Sequence, residues 1–373
     1  MKVAIIGAGV IGLGIGWRLA QRGIEVTLFE RGAAGEGASY AAAGMLAAAC
    51  ETEPGEAALG VLNRASMQLW PDFAAELEHA SGMSVGLRRE GTLVIALNRD
   101  DGAKLRHDMA FQTSQGVSLE WLTPAEARER EPFLAPQLAG AMFSPGDIQV
   151  DNRAVVRALL EAFRRAGGVL RDTTTVNRVH GSNGRVAGVF VAHQLFEADI
   201  VVLAAGAWSG GVGLPVPCPS VRPIKGQMLA VQMDPSAPLL RHVVWAPRAY
   251  MVPRLDGRLI IGGTVEEKGF NSDITAGGVY ALLDGAWRAL PGIEELKIIE
   301  TWVGFRPGSR DDAPILGASA LPGLMFATGH HRNGILLTPI TADAMASTIM
   351  AGKTDERITA FGADRFEQGR SVA

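Results

Sequence analysis

The strongest constraint on the fold is the run Gly7-Ala8-Gly9-Val10-Ile11-Gly12, because of what stands on either side of it. Residues 2–6, Lys-Val-Ala-Ile-Ile, form the near-continuous apolar run of a strand buried on both faces. Residues 11–22 repeat apolar positions at helical spacing until Gly23, and residues 25–29 make a second strand ending at Glu30. Together they form a β-α-β unit. Within it, Gly7 permits the sharp turn out of the strand, Gly9 lets backbone approach a pyrophosphate, and Gly12 lets helix and strand pack closely. The helix start presents unpaired N–H groups and a positive dipole end to an anion without needing a lysine. Glu30, roughly 20 residues on, is placed to accept hydrogen bonds from ribose hydroxyls; its other reading is a solvated strand end. The pattern predicts a dinucleotide site but does not separate FAD from NAD, which share the adenosine diphosphate half.

With 373 residues, 47% of them hydrophobic, the chain can bury a large core and divide into two or three compact units. Its 35 basic and 39 acidic residues leave a formal charge of −4 without long runs of one sign, which points away from nucleic acid and toward a small-molecule partner. Cys50 and Cys218 lie far apart and lack metal-ligand spacing, so a reducing, cytoplasmic compartment is expected, with neither a metal site nor a disulfide framework. The apolar opening, residues 3–20, is not read as a signal peptide. Gly7, Gly9, Gly12, Gly14 and Gly16 would weaken a signal helix, only Lys2 precedes the run, and Arg18 interrupts it. No stretch reaches the ~18 uninterrupted apolar residues of a membrane span, so none is expected.

Further along, residues 63–80 read as an amphipathic helix and 87–97 as a strand of mixed polarity belonging to a different sheet. A second helix starts at Asp151 or Asn152 as its cap, buries Val155, Val156, Leu159, Leu160 and Phe163, and ends at Gly167 and Gly168. Two β-rich stretches, 169–179 and 185–196, precede a continuous apolar strand at 200–205. Strand candidates at 228–233, 248–253 and 259–263, with a helix at 276–290, suggest a largely antiparallel sheet. Residues 325–350 return to strand, glycine turn and helix, so an α/β nucleotide-binding layer recruits them from the far end of the chain.

Four stretches carry a family resemblance: Ala38-Ser39-Tyr40-Ala41-Ala42-Ala43-Gly44-Met45-Leu46; Gly304-Phe305-Arg306-Pro307; Asp311-Asp312-Ala313-Pro314-Ile315-Leu316-Gly317; and Gly329-His330-His331-Arg332-Asn333-Gly334-Ile335-Leu336-Leu337-Thr338-Pro339. They resemble motifs of the glycine oxidases in the D-amino-acid oxidase family of flavoproteins, and the likeness spans nearly the whole chain. It implies a glutathione-reductase-like FAD-binding Rossmann domain from residues 1–80, 146–224 and 306–368. A second, α+β substrate domain from 81–145 and 225–305 would roof the flavin with an antiparallel sheet. It further implies non-covalent FAD contacted by Gly7, Gly9, Val10, Ile11, Gly12, Glu30, Arg31, Ala38, Ser39, Ala43, Gly44 and Met45. Val176 would join them on the adenine side, with a loop of His330, His331, Arg332, Asn333, Gly334, Ile335 and Leu336. Small residues at 41–44 suit backbone lying against a ring system, as they would a tightly packed helix.

For the substrate, the resemblance points to Arg306 as carboxylate anchor, assisted by Tyr250 and Arg332. A guanidinium binds a carboxylate through two parallel hydrogen bonds and so fixes which face of the α-carbon meets the flavin. The competing readings pair Arg306 with Asp311 or Asp312, give Arg332 to a phosphate or a loop brace, and make Tyr250 a core residue. Because the cofactor carries the electron chemistry, no side-chain nucleophile or obligatory base is expected. The absence of G-x-S-x-G, H-E-x-x-H and cysteine–histidine signatures agrees.

The resemblance implies oxidation of glycine to an imine that hydrolyses to the 2-oxo acid and ammonia, with oxygen reduced to hydrogen peroxide and the imine feeding thiamin thiazole synthesis. Sarcosine and small D-amino acids fit the same anchor, since one methyl group is discriminated by only ~1–3 kcal/mol. Alternatives are a sarcosine oxidase-like enzyme, whose flavin would need a C-terminal cysteine tether absent here beyond Cys218, a quinone-reducing D-amino-acid dehydrogenase, and a non-catalytic dinucleotide sensor. A homo-oligomer, possibly a tetramer, is also implied. Tyr40 and His331 depart from residues common in the family.

Overall fold

The computed structural model describes residues 1–51 and 55–366, so residues 52–54 and 367–368 of the expected nucleotide-binding segments lie outside the described residues. Strand Lys2–Ile6, helix Val10–Ala20 and strand Glu25–Phe29 form the expected β-α-β unit, with Ile5 opposite Leu28 in parallel pairing. Val3 and Ile5 pack on one face of the strand and Ala4 and Ile6 on the other, which is why its sequence is apolar without alternation. The sheet has six strands in the order Ile315–Ala318, Leu324–Thr328, Ile200–Leu203, Lys2–Ile6, Glu25–Phe29, Val169–Arg171. Only Ile315–Ala318 runs antiparallel to its neighbour.

Helices Asn152–Arg165 and Thr338–Ala351 flank Val10–Ala20 on one face of this sheet. The glycines of the first helix permit that closeness: a Cβ at Gly14 would lie 3.2 Å from Ala342 Cβ, and one at Gly16 3.1 Å from the Phe163 ring. Of the two candidate caps, Asp151 is the one used; its carboxylate accepts the N–H groups of Arg153 and Ala154.

The second sheet has eight strands, in the order Lys297–Gly308, Arg222–Gln232, Arg258–Gly262, Ala249–Pro253, Val243–Ala246, Thr92–Ala96, Gly140–Ser144, Glu120–Leu122. It is antiparallel except where Val243–Ala246 meets Thr92–Ala96. Helix Ala276–Ala289 covers one face, burying Leu282, Ala286 and Ala289.

The expected helix at 63–80 begins earlier, as Ala57–Ser81, because Leu59 and Leu62 reach the core although no side chain caps the start. The expected strand at 87–97 contracts to Thr92–Ala96 after Gly91, where a Cβ would crowd the Phe143 ring. Helices Arg99–Ser114 and Pro124–Arg130 are additions. The first buries only Gly102, Leu105 and Gln112, so it carries little apolar periodicity, whereas the second has a legible capping box of Thr123 and Glu126.

Buried Arg254 ties the layers together. Its Nη1 donates to Gln149 Oε1 (2.9 Å), and its Nη2 to the Ala43 carbonyl (2.6 Å) and Asn152 Oδ1 (3.2 Å). Burial lowers its pKa to about 10, which leaves it charged at neutral pH. Asn152 Nδ2 in turn donates to the Ser39 carbonyl (2.8 Å), so residues 38–44 are held from both sides.

Candidate active site

At the end of the first strand Gly7 has φ +104°, and a Cβ there would collide with the backbone of Ala204. Gly12 packs directly against the Gly7 carbonyl. Gly9 caps the helix without a side-chain bond, while Ser39 Oγ accepts the Val10 N–H (3.0 Å) across the turn. Glu30 is no solvated strand end. Its two oxygens accept Ala8 N–H (2.9 Å) and Gly32 N–H (3.1 Å), and it faces the cavity described next. Arg31 lies over the Trp208 ring, 3.9 Å from its centroid.

These groups open on a cavity of about 1120 Å³, at the upper end of the ~300–1,000 Å³ usual for small-ligand sites. Gly7, Gly9, Val10, Ile11, Glu30, Arg31, Ala38, Ser39, Ala43, Gly44, Met45, Val176, His330, His331, Arg332, Gly334 and Ile335 line it, as do Tyr250 and Arg306 from the second sheet. Gly12, Asn333 and Leu336 are not in its wall. The Leu336 carbonyl accepts Ser66 Oγ (2.6 Å) and Trp70 Nε1 (2.9 Å) in the core, and Asn333 closes the backbone turn between His330 and Leu337.

The far end of the cavity concentrates charge. Arg306 projects from strand Lys297–Gly308, and its Nη1 donates to the Thr264 carbonyl (3.0 Å). A Cβ at Gly226 would lie 2.7 Å from Arg306 Nη1 and one at Gly263 3.1 Å from Nη2, so glycines make room for the guanidinium. Among the described residues no carboxylate comes within ion-pair distance of it: Asp311 is held by Arg365 (3.0 Å), and Asp312 faces His331 (3.7 Å). Tyr250 stands beside Arg306 and donates to Met228 Sδ (3.3 Å). Burial raises its pKa, Arg306 opposing. Arg332 Nη2 contacts both Glu56 oxygens at 2.8 Å and donates to the Glu51 carbonyl at 3.2 Å, bracing Glu51 and Glu56 while still facing the cavity.

Both histidines are neutral at neutral pH. Burial takes His330 down to about 3, and its Nε2 lies 3.2 Å from Thr341 Oγ1. Burial likewise takes His331 to about 4, with Asp312 raising and Arg332, Arg306 and Arg222 lowering it. Tyr40 turns away from the cavity; its hydroxyl donates to Glu300 (3.0 Å) under the guanidinium of Arg153.

Sequence reasoning missed several wall residues. Trp245 packs on Tyr250 with ring centroids 5.5 Å apart, and its buried Nε1 has no hydrogen-bond partner among the described residues. Trp208 stacks on Phe270, closing the cavity near Arg31. Glu51 lines the same cavity as Arg306 and Tyr250, and its only sequence signal is a carboxylate directly after the small residues 47–50.

A parallel sheet with a glycine turn at a helix N-terminus, facing an antiparallel sheet across one elongated cavity, defines a dinucleotide-dependent oxidoreductase. The FAD dependent oxidoreductase family model matches residues 2–348, and the chain belongs to that family. It is 38% identical over 375 residues to the glycine oxidase of Geobacillus kaustophilus, covering 99% of this chain and 97% of that protein. It is also 38% identical over 373 residues to the bifunctional protein ThiO/ThiG of Trichormus variabilis, covering 99% of this chain but 56% of that protein, so it spans about half that relative's length. The crystal structure of the Geobacillus kaustophilus glycine oxidase superposes with TM-score 0.91 at 37% identity, covering 98% of this chain and 99% of that one. The cofactor is FAD, and the cavity fits it. The helix N-terminus at Gly9 and Val10, the close backbone at Gly7, the Glu30 carboxylate and the buried Trp245 Nε1, without a partner among the described residues, all line the cavity. Among the described residues no helix is long and apolar enough to cross a membrane.

Proposed function

We propose that this protein oxidises glycine, and also sarcosine and small D-amino acids, with oxygen as acceptor. The products would be the imine, which hydrolyses to the 2-oxo acid and ammonia, and hydrogen peroxide, the imine supplying thiamin thiazole synthesis. The observation that carries the reading is Arg306, a guanidinium without a carboxylate partner among the described residues, facing a cavity of flavin size.

The Arg306 donors not used by Thr264 take the substrate carboxylate as a charge-assisted fork, and the Tyr250 hydroxyl, turned from Met228 Sδ, adds a third donor. Met228, Trp245 and Ala41 surround that pair and exclude water, which strengthens the ion pair. FAD, when bound, would supply the two-electron redox chemistry between the substrate carbon and oxygen. The chain's own task is orientation, worth several kcal/mol when the reacting atoms are held in near-attack geometry. Arg332 assists from the same cavity wall, its guanidinium oriented by the Glu56 carboxylate.

The remaining flavin contacts are those named from the sequence, with Gly12, Asn333 and Leu336 acting through packing and turn geometry. FAD is non-covalent in this reading, since neither Cys50 nor Cys218 lines the cavity. The FAD-binding part comprises 1–80, 146–224 and 306–368, joined to the substrate part by the strands Arg222–Gln232 and Lys297–Gly308 that run across both boundaries. A cytoplasmic homo-oligomer, a tetramer by the family resemblance, completes the proposal; light scattering of the purified protein gives its mass.

Arg306→Ala tests the reading. Losing the charged fork should cost about 3 kcal/mol, a fall in kcat/KM for glycine of roughly a hundredfold, while FAD stays bound. Wild-type kinetics in the variant would reject the anchor.

A further inference from the structure

The sequence gives no reason to expect a base at the substrate end, yet the cavity wall contains one carboxylate there. Glu51 is fixed by its backbone: its N–H donates to the Ala47 carbonyl (3.1 Å), and its carbonyl accepts Arg332 Nη2 (3.2 Å). Its side chain is 11% exposed and shares the cavity wall with Tyr250 and Arg306. The nearest cation, Arg332 Nε, is 3.9 Å away, and that guanidinium binds Glu56 more closely. Among the described residues no donor lies within hydrogen-bonding distance of the Glu51 carboxylate. A carboxylate removed from water and short of donors is stabilised when a ligand brings one. In a site whose arginine takes the ligand's carboxylate, the complementary donor is the ligand's ammonium group.

We propose that Glu51 is the catalytic base that receives the ammonium proton of the amino-acid substrate before oxidation, a step that rests on the amine-oxidation reading above. One N–H bond of the ammonium breaks, its electron pair stays on nitrogen, and the proton forms an O–H bond on Glu51, with no change of oxidation state. The lone pair so freed is what stabilises the electron-poor carbon as hydride departs. Afterwards Glu51 returns the proton to solvent.

The surrounding charges suit the role. Burial raises Glu51 to about 7; Arg332 and Arg306 lower it, while Asp147 and Glu56 raise it. Tyr250 and Cys50 complete the facing titratable groups, and both are themselves raised by burial. A base that titrates near neutrality is ionised often enough to accept a proton and basic enough to hold it.

The test compares wild-type holoenzyme with Glu51→Gln and Glu51→Asp. In the wild type kcat/KM for glycine should rise with pH to a plateau above about 7. In Glu51→Gln it should be about a hundredfold lower at neutral pH and climb about tenfold per pH unit toward the amine's own range, while Glu51→Asp keeps a plateau. A second readout needs no turnover. Acetate, a carboxylate without an amine, should draw on the order of half a proton onto wild-type holoenzyme near pH 7.5, measured by calorimetry in two buffers, and none onto Glu51→Gln. A purely structural Glu51 would lower activity equally at every pH; parallel profiles, or no proton uptake by the wild type, overturn the proposal. A wild type that turns over no amine at any pH overturns the functional reading as well, which separates the two failures.

Discussion

Arg306 shows how far a single residue's role can be read from sequence. The motif Gly304-Phe305-Arg306-Pro307 singled it out, but Asp311 and Asp312, a few positions on, offered a plausible structural ion pair. The fold decides between them by giving Asp311 to Arg365 and turning Asp312 toward His331. Arg332 was less legible, because Glu56 lies 276 positions away and nothing local predicts that contact. The neighbouring His331 carries a pH prediction. Its folded pKa, about 4, lies below the ordinary 6.5, so between those values the unfolded chain binds more protons. Its contribution to stability is therefore complete above pH 6.5 and declines as pH falls toward 4, amounting to about 3 kcal/mol across the window. Urea midpoints of wild type and His331→Asn at a series of pH values should show a shallower acid loss in the variant; parallel curves would contradict it.

At the scale of elements, the nucleotide-binding layer was legible because its strands are buried on both faces and its helix starts at a glycine turn, two local signals that reinforce each other. Helix Arg99–Ser114 escaped because a solvent-facing polar helix has hardly any apolar stripe to detect. Glu51 escaped for a different reason: its meaning depends on a cavity assembled from both ends of the chain. The segment 38–44, which the proposed function sets against the flavin, is held mainly by groups distant in sequence, Arg254 and Asn152. Arg254→Ala should leave the Ala43 carbonyl, Gln149 and Asn152 short of buried partners and destabilise the protein by about 2–4 kcal/mol. Thermal unfolding together with the FAD content after gel filtration measures this. The account expects both to fall, and an unchanged melting temperature would show that Arg254 does not brace the layers.

At the scale of the whole molecule, two sheets of different pairing logic line one cavity: in the proposed function the mainly parallel sheet supplies backbone for the cofactor's phosphates and the mainly antiparallel sheet supplies Arg306 for the substrate. Strands Arg222–Gln232 and Lys297–Gly308 pair along their length and carry Arg306 to that cavity. The central claim, that this cavity joins FAD to a small amino acid for oxidation, is tested most directly by the visible spectrum of the purified protein without oxygen, before and after adding glycine, and then on admitting air. The account predicts a flavin absorption that glycine bleaches and that air restores with release of hydrogen peroxide. A bound flavin that neither glycine, sarcosine nor a small D-amino acid bleaches would contradict it.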